Sequence, residues 1–256
     1  MNYRHGFHAG NFADVFKHAL LCRALVYLMK KPAALRFIDT HAGAGTYHLD
    51  DDAGRRSPEW RDGIARLLKA KPPAEIAELL KPYLDAVGPF DPESGRPTLY
   101  PGSPAIAQAL LRADDKIALC EAHPQEHDRL MAALGRDRRL RISSADGYQS
   151  LNAYVPPVER RGLVLIDPPY EQPDEAAKVE AALQATDAAD LREDVAALGA
   201  IFGETASALA VRLEAATTAQ ADRIVSRFET EATGELRDGL QDLSAALAQA
   251  SAQLGE

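Results

Sequence analysis

Cysteine and long apolar runs are both scarce in this chain of 256 residues. Its two cysteines, Cys22 and Cys120, each follow apolar neighbours, which predicts two buried free thiols rather than a disulfide. No cysteine–histidine cluster has the spacing of zinc ligands, so we predict no metal site. No segment approaches the roughly 18 apolar residues of a membrane span, and no apolar run follows Met1–His5. We therefore expect no membrane partner, no signal peptide and a cytoplasmic location.

The C-terminal third of the sequence lacks proline and histidine altogether. All 16 prolines and all 7 histidines occur within residues 1–173. Residues 174–256 carry 6 basic and 16 acidic side chains, a net charge of −10, whereas residues 1–173 carry 23 and 22, a net charge of +1. This change in composition predicts two parts that meet at residue 173. The acidity of the second part argues against nucleic acid as its partner.

The second part, residues 174–256, is rich in alanine, and this composition favours helix throughout. Apolar side chains recur at steps of three or four along one stretch, at Leu236, Leu240, Leu243, Leu247, Ala250 and Leu254. Such a seam has two interpretations. It is either an amphipathic helix that packs on its own chain or a coiled coil through which the chain forms a homo-oligomer.

Four short apolar runs in the first part each end at an acidic residue. They are Leu35–Asp39, Ile117–Glu121, Leu140–Gly147 with Asp146 near its end, and Leu163–Ile166, which stops at Asp167. Helical patterns separate the runs, and this alternation predicts an α/β fold with a parallel sheet. The continuous apolar character of the fourth run predicts a central strand that is buried on both faces. Because ligands bind at the carboxyl ends of such strands, the acids favour a nucleoside-type ligand.

Helical apolar spacing is clearest over Phe12–Lys30, which ends before Pro32. A second helix is predicted over Ala105–Leu111, with Ser103 as its N-cap. Between the first and second runs, residues 50–102 combine further helical spacing with many turn-forming prolines and glycines. We interpret this segment as an inserted helical subdomain.

Two segments that follow predicted strands carry the chemistry. Thr40–Gly45 is a glycine-rich turn of the kind that lets a backbone approach a ligand closely. The second segment is Asp167–Tyr170, which follows the fourth apolar run. Asp167 and the carbonyl of Pro168 can each accept one N–H of an exocyclic amine on a nucleobase, and the ring of Tyr170 can stack on that base. The amine of adenine is a poor nucleophile because its lone pair is delocalised. Two acceptors on its hydrogens localise that pair and stabilise the charge that develops during attack.

Several motifs together resemble the RlmJ family, the bacterial 23S ribosomal RNA adenine-N6 methyltransferases that use S-adenosylmethionine. The most specific is the opening segment Tyr3–His18, and the others follow in the same order along residues 1–173. They are Asp39–Gly45, Tyr100–Pro104, Glu121–Pro124, Ala145–Gly147, Arg160–Gly162 and Ile166–Glu171.

The resemblance implies a role for each matching residue. Lys17, His18, His41 and Ser103 are expected to contact the methionine end of S-adenosylmethionine, Glu121 the ribose hydroxyls, and Asp146 and Gly147 the adenine. Asp167 is expected to be the catalytic acceptor and Tyr3 to contact the RNA. The chemistry fits, because an ammonium and imidazoles can bind a carboxylate while carboxylates accept hydrogen bonds from hydroxyl and amino groups.

The resemblance also implies a fold, a Rossmann-like class I methyltransferase sheet, and an activity on 23S ribosomal RNA. After residue 173 the match ends, and the expected further strands are replaced by the helical pattern of residues 174–256, so we predict an incomplete sheet whose fourth strand is an exposed edge. Two alternatives remain open. One is a DNA adenine-N6 methyltransferase, since Asp-Pro-Pro-Tyr serves both. The other is an inactive cofactor-binding remnant whose helical tail self-associates.

Overall fold

A computed structural model describes residues 5–70, 72–170 and 172–185. These residues belong to the first of two compact units of the chain, Met1–Thr205. Its helices are α1 (Phe12–Leu28), α2 (Asp52–Arg56), α3 (Ile64–Lys69), α4 (Ala74–Val87), α5 (Ser103–Leu110), α6 (Pro124–Leu134), α7 (Gly147–Tyr154) and α8 (Glu175–Ala185). Its strands are β1 (Arg36–Asp39), β2 (Thr46–Tyr47), β3 (Tyr100–Pro101), β4 (Lys116–Cys120), β5 (Leu140–Ser143) and β6 (Gly162–Leu165).

Four of the strands form one parallel sheet in the order β5-β4-β1-β6. Ile38 in the middle of β1 lies opposite Ala118 of β4 on one side and Val164 of β6 on the other. The chain moves outward from β1 through β4 to β5 and then returns to the other side of β1. This is the topological switch point at which doubly wound sheets bind their ligands. The predicted Rossmann-like α/β class is confirmed.

The position of β6 differs from the prediction of a central, doubly buried strand. Among the described residues β6 pairs only with β1, and Val164 is 36% exposed. The prediction of burial on both faces was wrong for β6, because burial depends on the segments that pack against a strand and its own residues do not show them. Residues 186–256 lie outside the described residues, so the exposed edge predicted from the missing strand pattern stays a prediction.

Helix α1 begins where Asn11 caps it, since the Asn11 side chain accepts a hydrogen bond from the Asp14 backbone N–H at 2.9 Å. It is apolar nearly all round, a pattern typical of a helix that is enclosed by its neighbours. Accordingly it packs against α4 and α5, and Cys22 and Leu25 on it are fully buried. Both cysteines are free and buried, as predicted.

The interruption at residues 50–102 is helical, as predicted, and contains α2, α3, α4 and a 3-10 turn at Glu59–Arg61. It contacts the start of the chain closely: the Ile64 N–H donates to the Gly10 carbonyl at 2.9 Å. Asn11 and His8 both reach the carboxylate of Glu59. The inserted subdomain therefore fixes the segment that leads into α1.

The predicted helical tail begins with α8, and the rest of it, including the apolar seam from Leu236 to Leu254, lies outside the described residues. Both interpretations of that seam, packing on its own chain and a coiled coil between chains, therefore stay predictions. No helix within the described ranges is long and apolar enough to cross a membrane. The same residues contain no cluster of three or more histidine, cysteine or carboxylate side chains that could hold a metal ion.

Replacing Arg161 by alanine should lower the free energy of unfolding by about 1–2 kcal/mol. The Arg161 guanidinium donates to the carbonyls of Leu28 and Ala33, both at 2.7 Å, and so satisfies the C-terminal end of α1. Urea denaturation measures the change. Arg138→Ala, at an exposed position, is the matched control and should leave the midpoint within error. Equal midpoints for all three proteins would show that Arg161 does not stabilise the end of α1.

Candidate active site

The carboxyl ends of β1, β4 and β6 meet around the glycine-rich turn that follows β1. Gly43 and Gly45 have φ angles of +61° and +80°, a region that side chains other than glycine rarely adopt. A Cβ atom on Gly43 would lie 2.3 Å from the Tyr47 hydroxyl, and one on Gly45 would lie 2.8 Å from Leu130. The turn therefore keeps its shape only with glycine at both positions, as a backbone cradle for a ligand requires.

Glu121, directly after β4, joins this turn to the neighbouring strand. Its carboxylate accepts the N–H of Gly43 at 2.8 Å with one oxygen and the N–H of His123 at 2.7 Å with the other. Burial raises the pKa of Glu121, although both N–H groups act in the opposite direction. Each oxygen keeps a lone pair beyond its backbone bond, so the carboxylate can still accept hydroxyl groups.

Ser103 does not cap α5 as predicted. Gly102 occupies the N-cap position, and Ser103 is the first residue of the helix. Its hydroxyl instead donates to Asp39 at 2.6 Å, and the His41 N–H donates to the other oxygen of Asp39 at 3.1 Å. Asp39 is fully buried, and burial raises its pKa to about 6. The sequence pattern correctly predicts that Ser103 lies at a helix start. It does not show that Asp39 is buried nearby and accepts the Ser103 hydroxyl.

His41 and the start of α7 form the next part of the site. The His41 ring meets the edge of Tyr148 with centroids 5.0 Å apart, and burial lowers its pKa although Asp167 and Asp146 act against this. Asp146 is exposed and caps α7 by accepting the Gln149 N–H at 3.1 Å. Gly147 is buried so tightly that a Cβ atom would lie 2.1 Å from the Thr40 carbonyl oxygen.

Lys17 connects α1 with the end of β6. Its ammonium lies 2.6 Å from Asp167 Oδ2 and 2.9 Å from Asp14 Oδ1. Burial alone would lower the pKa of Lys17, but the two carboxylates outweigh it and raise the pKa. Lys17 is therefore firmly charged, and its ammonium is shared between two acids.

The segment after β6 presents groups outward. The Asp167 side chain is 39% exposed, whereas Pro168 beside it is buried. Tyr170 is 62% exposed and has a φ angle of +51°, in the left-handed region that tyrosine rarely adopts. Strained backbone of this kind is concentrated at functional sites. The arrangement places a carboxylate and a free aromatic face at one strand end.

His18 lies behind these groups rather than among them. It is 1% exposed, its Nδ1 lies 2.9 Å from the Tyr100 hydroxyl, and its Nε2 lies 3.9 Å from Asp14. Burial lowers the pKa of His18 to about 3, so its ring is neutral at physiological pH. The predicted contact of His18 with a cofactor therefore stays a prediction.

This buried imidazole predicts an acid-dependent loss of stability. The pKa of His18 is about 3 in the folded protein and 6.5 when unfolded, so below pH 6.5 the unfolded state binds the additional proton. The stabilisation that neutral His18 provides is therefore complete above pH 6.5. Between pH 6.5 and 5 the free energy of unfolding should fall by about 2 kcal/mol. His18→Gln should lose that dependence in urea denaturation, whereas His48→Gln, at an exposed position, should keep the parent slope. A parent slope in both variants would contradict the assignment.

The structure thus brings together Lys17, His41, Ser103, Glu121, Asp146, Gly147, Asp167, Pro168 and Tyr170 around the strand ends. Tyr3 lies outside the described residues. Sequence reasoning missed Asp14, a buried carboxylate that contacts Lys17. Its place three residues before Lys17, one helical turn away within the opening motif, is the signal that could have identified it.

A family described as "Ribosomal RNA large subunit methyltransferase D, RlmJ" matches residues 32–202. "Ribosomal RNA large subunit methyltransferase J" of Escherichia coli (strain K12) is 45% identical over 172 residues, which cover 67% of this chain and 60% of that protein. The protein of the same name in Haemophilus influenzae is 37% identical over 175 residues, covering 68% and 61%. The chain thus spans about 60% of the length of these relatives.

Among solved structures, the crystal structure of protein LPL1258 from Legionella pneumophila is similar in both sequence and fold. The two chains are 36% identical with a TM-score of 0.61, and the match covers 69% of this chain and 63% of the other. This similarity supports the α/β fold described above.

Proposed function

Because the chain belongs to the ribosomal RNA large subunit methyltransferase D, RlmJ family, we propose that it transfers a methyl group from S-adenosylmethionine to the N6 amine of an adenine in 23S ribosomal RNA. The observation that carries this proposal is the end of β6. There the half-exposed carboxylate of Asp167 stands beside the exposed ring of Tyr170. A ribosomal substrate is also the reason for proposing a cytoplasmic location.

The residues around the glycine turn fit the proposed cofactor. The turn has no room for side chains at Gly43, and α7 approaches β1 too closely for one at Gly147. Glu121 and Asp146 offer carboxylate oxygens at two neighbouring strand ends, which suit ribose hydroxyls and an adenine amino group. Ser103, Lys17, His18 and His41 are the proposed contacts for the methionine end. When bound, the cofactor supplies an electrophilic methyl group.

The chain's own residues prepare the amine that receives this methyl group. Asp167 Oδ2 and the Pro168 carbonyl accept the two N6 hydrogens and so localise the nitrogen lone pair. Tyr170, with most of its ring exposed, stacks on the adenine and orients it. Tyr3 is the proposed contact for the rest of the RNA. The adenine must be unpaired or flipped, since its N6 is otherwise engaged in pairing.

A methylation assay on naked nucleic acid tests this proposal. The full chain is incubated with S-adenosylmethionine that carries a radioactive methyl group and, in parallel, with protein-free 23S ribosomal RNA or duplex DNA. Label in the RNA alone supports the proposal, and label in DNA alone would replace it with the DNA adenine-N6 alternative. Thermal stabilisation by the cofactor without label in either substrate would favour the inactive remnant.

A further inference from the structure

Asp14 is a buried carboxylate that contacts both His5 and the Lys17 ammonium of the proposed site. It lies in the first turn of α1 and is 2% exposed. Burial alone would raise its pKa, but the neighbouring His5 imidazole and Lys17 ammonium help to hold it well below the usual range. Because Asp14 is buried and ionised, its charge is stabilised by these neighbours rather than by water.

The two oxygens of Asp14 have different partners. Oδ2 accepts the Gly10 N–H at 3.0 Å and lies 2.9 Å from His5 Nε2, so it fixes the segment that leads into α1. Oδ1 lies 2.9 Å from the Lys17 ammonium. The structural task of holding the entry to the helix is therefore carried by Oδ2, and Oδ1 faces the proposed active site through Lys17.

The Lys17 ammonium and the proposed substrate amine bind the same carboxylate at the end of β6. It lies 2.6 Å from Asp167 Oδ2, an oxygen that the proposed reaction needs as an acceptor for the adenine amine. Asp167 is 39% exposed on a loop, whereas Asp14 is buried and anchored at its other oxygen. An amine hydrogen that binds Asp167 Oδ2 competes with the ammonium for that oxygen. Asp14 is the fixed anion beside which the ammonium can remain when the amine is bound.

We propose that Asp14 is a positioning residue for methyl transfer: it holds the Lys17 ammonium when the substrate amine takes its place at Asp167. The inference rests on the proposed function for its catalytic consequence. Without the Asp14 charge, Asp167 is the only carboxylate bonded to Lys17 among the described residues, and the ion pair competes more strongly with the amine. Asp14 does not touch the reacting atoms.

Asp14→Asn tests the proposal because it keeps the volume and one acceptor oxygen but removes the charge. We expect kcat to fall by at least about tenfold, the scale of disturbing one active-site electrostatic partner, while cofactor affinity stays within about twofold. The pKa of Lys17 should also fall, because one of its two anions is gone. Acylation of Lys17 at fixed pH, measured by mass spectrometry of the modified peptide, should therefore become several-fold faster.

Asp115→Asn is the matched control. Asp115 is also fully buried and accepts backbone and arginine N–H groups, but it lies at the opposite end of the sheet, just before β4. This variant should lose stability and keep both kcat and the acylation rate of Lys17. A similar loss of kcat in both variants would mean that Asp14 acts only through stability, and would overturn the proposal.

A double-mutant cycle asks whether Asp14 acts through Lys17. In a Lys17→Met background, Asp14→Asn should change kcat by less than about twofold, because there is no ammonium left to hold. An undiminished effect in that background would contradict the proposal. If the parent protein methylates no RNA, the proposed function fails. The acylation rates then still decide whether Asp14 sets the charge of Lys17, and unchanged rates would overturn the inference by themselves.

Discussion

Replacing Asp167 by alanine is expected to lower the rate of methyl transfer by at least about a hundredfold, the scale of losing one transition-state electrostatic partner. The change removes the acceptor that localises the lone pair of the amine. It leaves the glycine turn and Glu121 intact, since neither is hydrogen-bonded to Asp167. Cofactor affinity should therefore stay within a few-fold. Single-turnover methylation measures the first quantity and titration calorimetry the second.

Asp114→Ala, an exposed aspartate near the other end of the sheet, serves as the control and should react like the parent. Asp167→Asn is a sharper variant, because it keeps the shape of the side chain and one carbonyl acceptor while placing an N–H donor on the other side. We expect it to retain more activity than alanine but far less than the parent. Parent activity in the alanine variant would remove Asp167 from the reaction. A collapse of cofactor affinity would make it a binding residue instead.

The second large effect is expected at Glu121, where replacement by alanine should remove most of the affinity for S-adenosylmethionine. At a hundredfold excess over its dissociation constant, the cofactor should stabilise the parent by about 3 kcal/mol. The variant should lose most of that gain for two reasons. The ribose hydroxyls lose their acceptor, and the N–H groups of Gly43 and His123 lose the carboxylate that ties the turn to β4.

Calorimetric titration and thermal unfolding with and without the cofactor separate these reasons. A lower melting temperature without the cofactor reports the loosened turn, and a smaller shift on adding the cofactor reports lost affinity. Glu78→Ala, an exposed carboxylate on α4, should change neither. Parent-like binding by the Glu121 variant would refute the ribose assignment.

The parallel sheet could be predicted from the sequence because its strands are short apolar runs that end abruptly. Asp39, Glu121 and Asp167 each interrupt such a run. In the structure Asp39 is the last residue of β1, Glu121 directly follows β4, and Asp167 lies two residues after β6. The helical insertion was predictable for a similar reason, since turn-forming residues separate its apolar repeats. Both signals are local, because each depends only on residues that are close together in the sequence.

The arrangement of charges could not be predicted in the same way. Lys17 and Asp167 are 150 positions apart, and no local pattern indicates that their side chains meet. Ser103 is a residue type that often caps helices, but its hydroxyl donates to Asp39, a carboxylate that the fold buries beside it. Likewise, the apolar run of β6 predicts a strand that is buried on both faces, but Val164 on it is 36% exposed. The segments that cover a strand are far from it in the sequence, so its own residues do not show them.

The most direct test of the proposed activity identifies the methylated nucleoside itself. Protein-free 23S ribosomal RNA is incubated with the full chain and with S-adenosylmethionine that carries a deuterated methyl group, then digested to nucleosides and analysed by mass spectrometry. We predict deuterated N6-methyladenosine with the parent and about a hundredfold less with Asp167→Ala. Deuterium at any other nucleoside position, or equal N6-methyladenosine from both proteins, would contradict the proposed reaction at the end of β6.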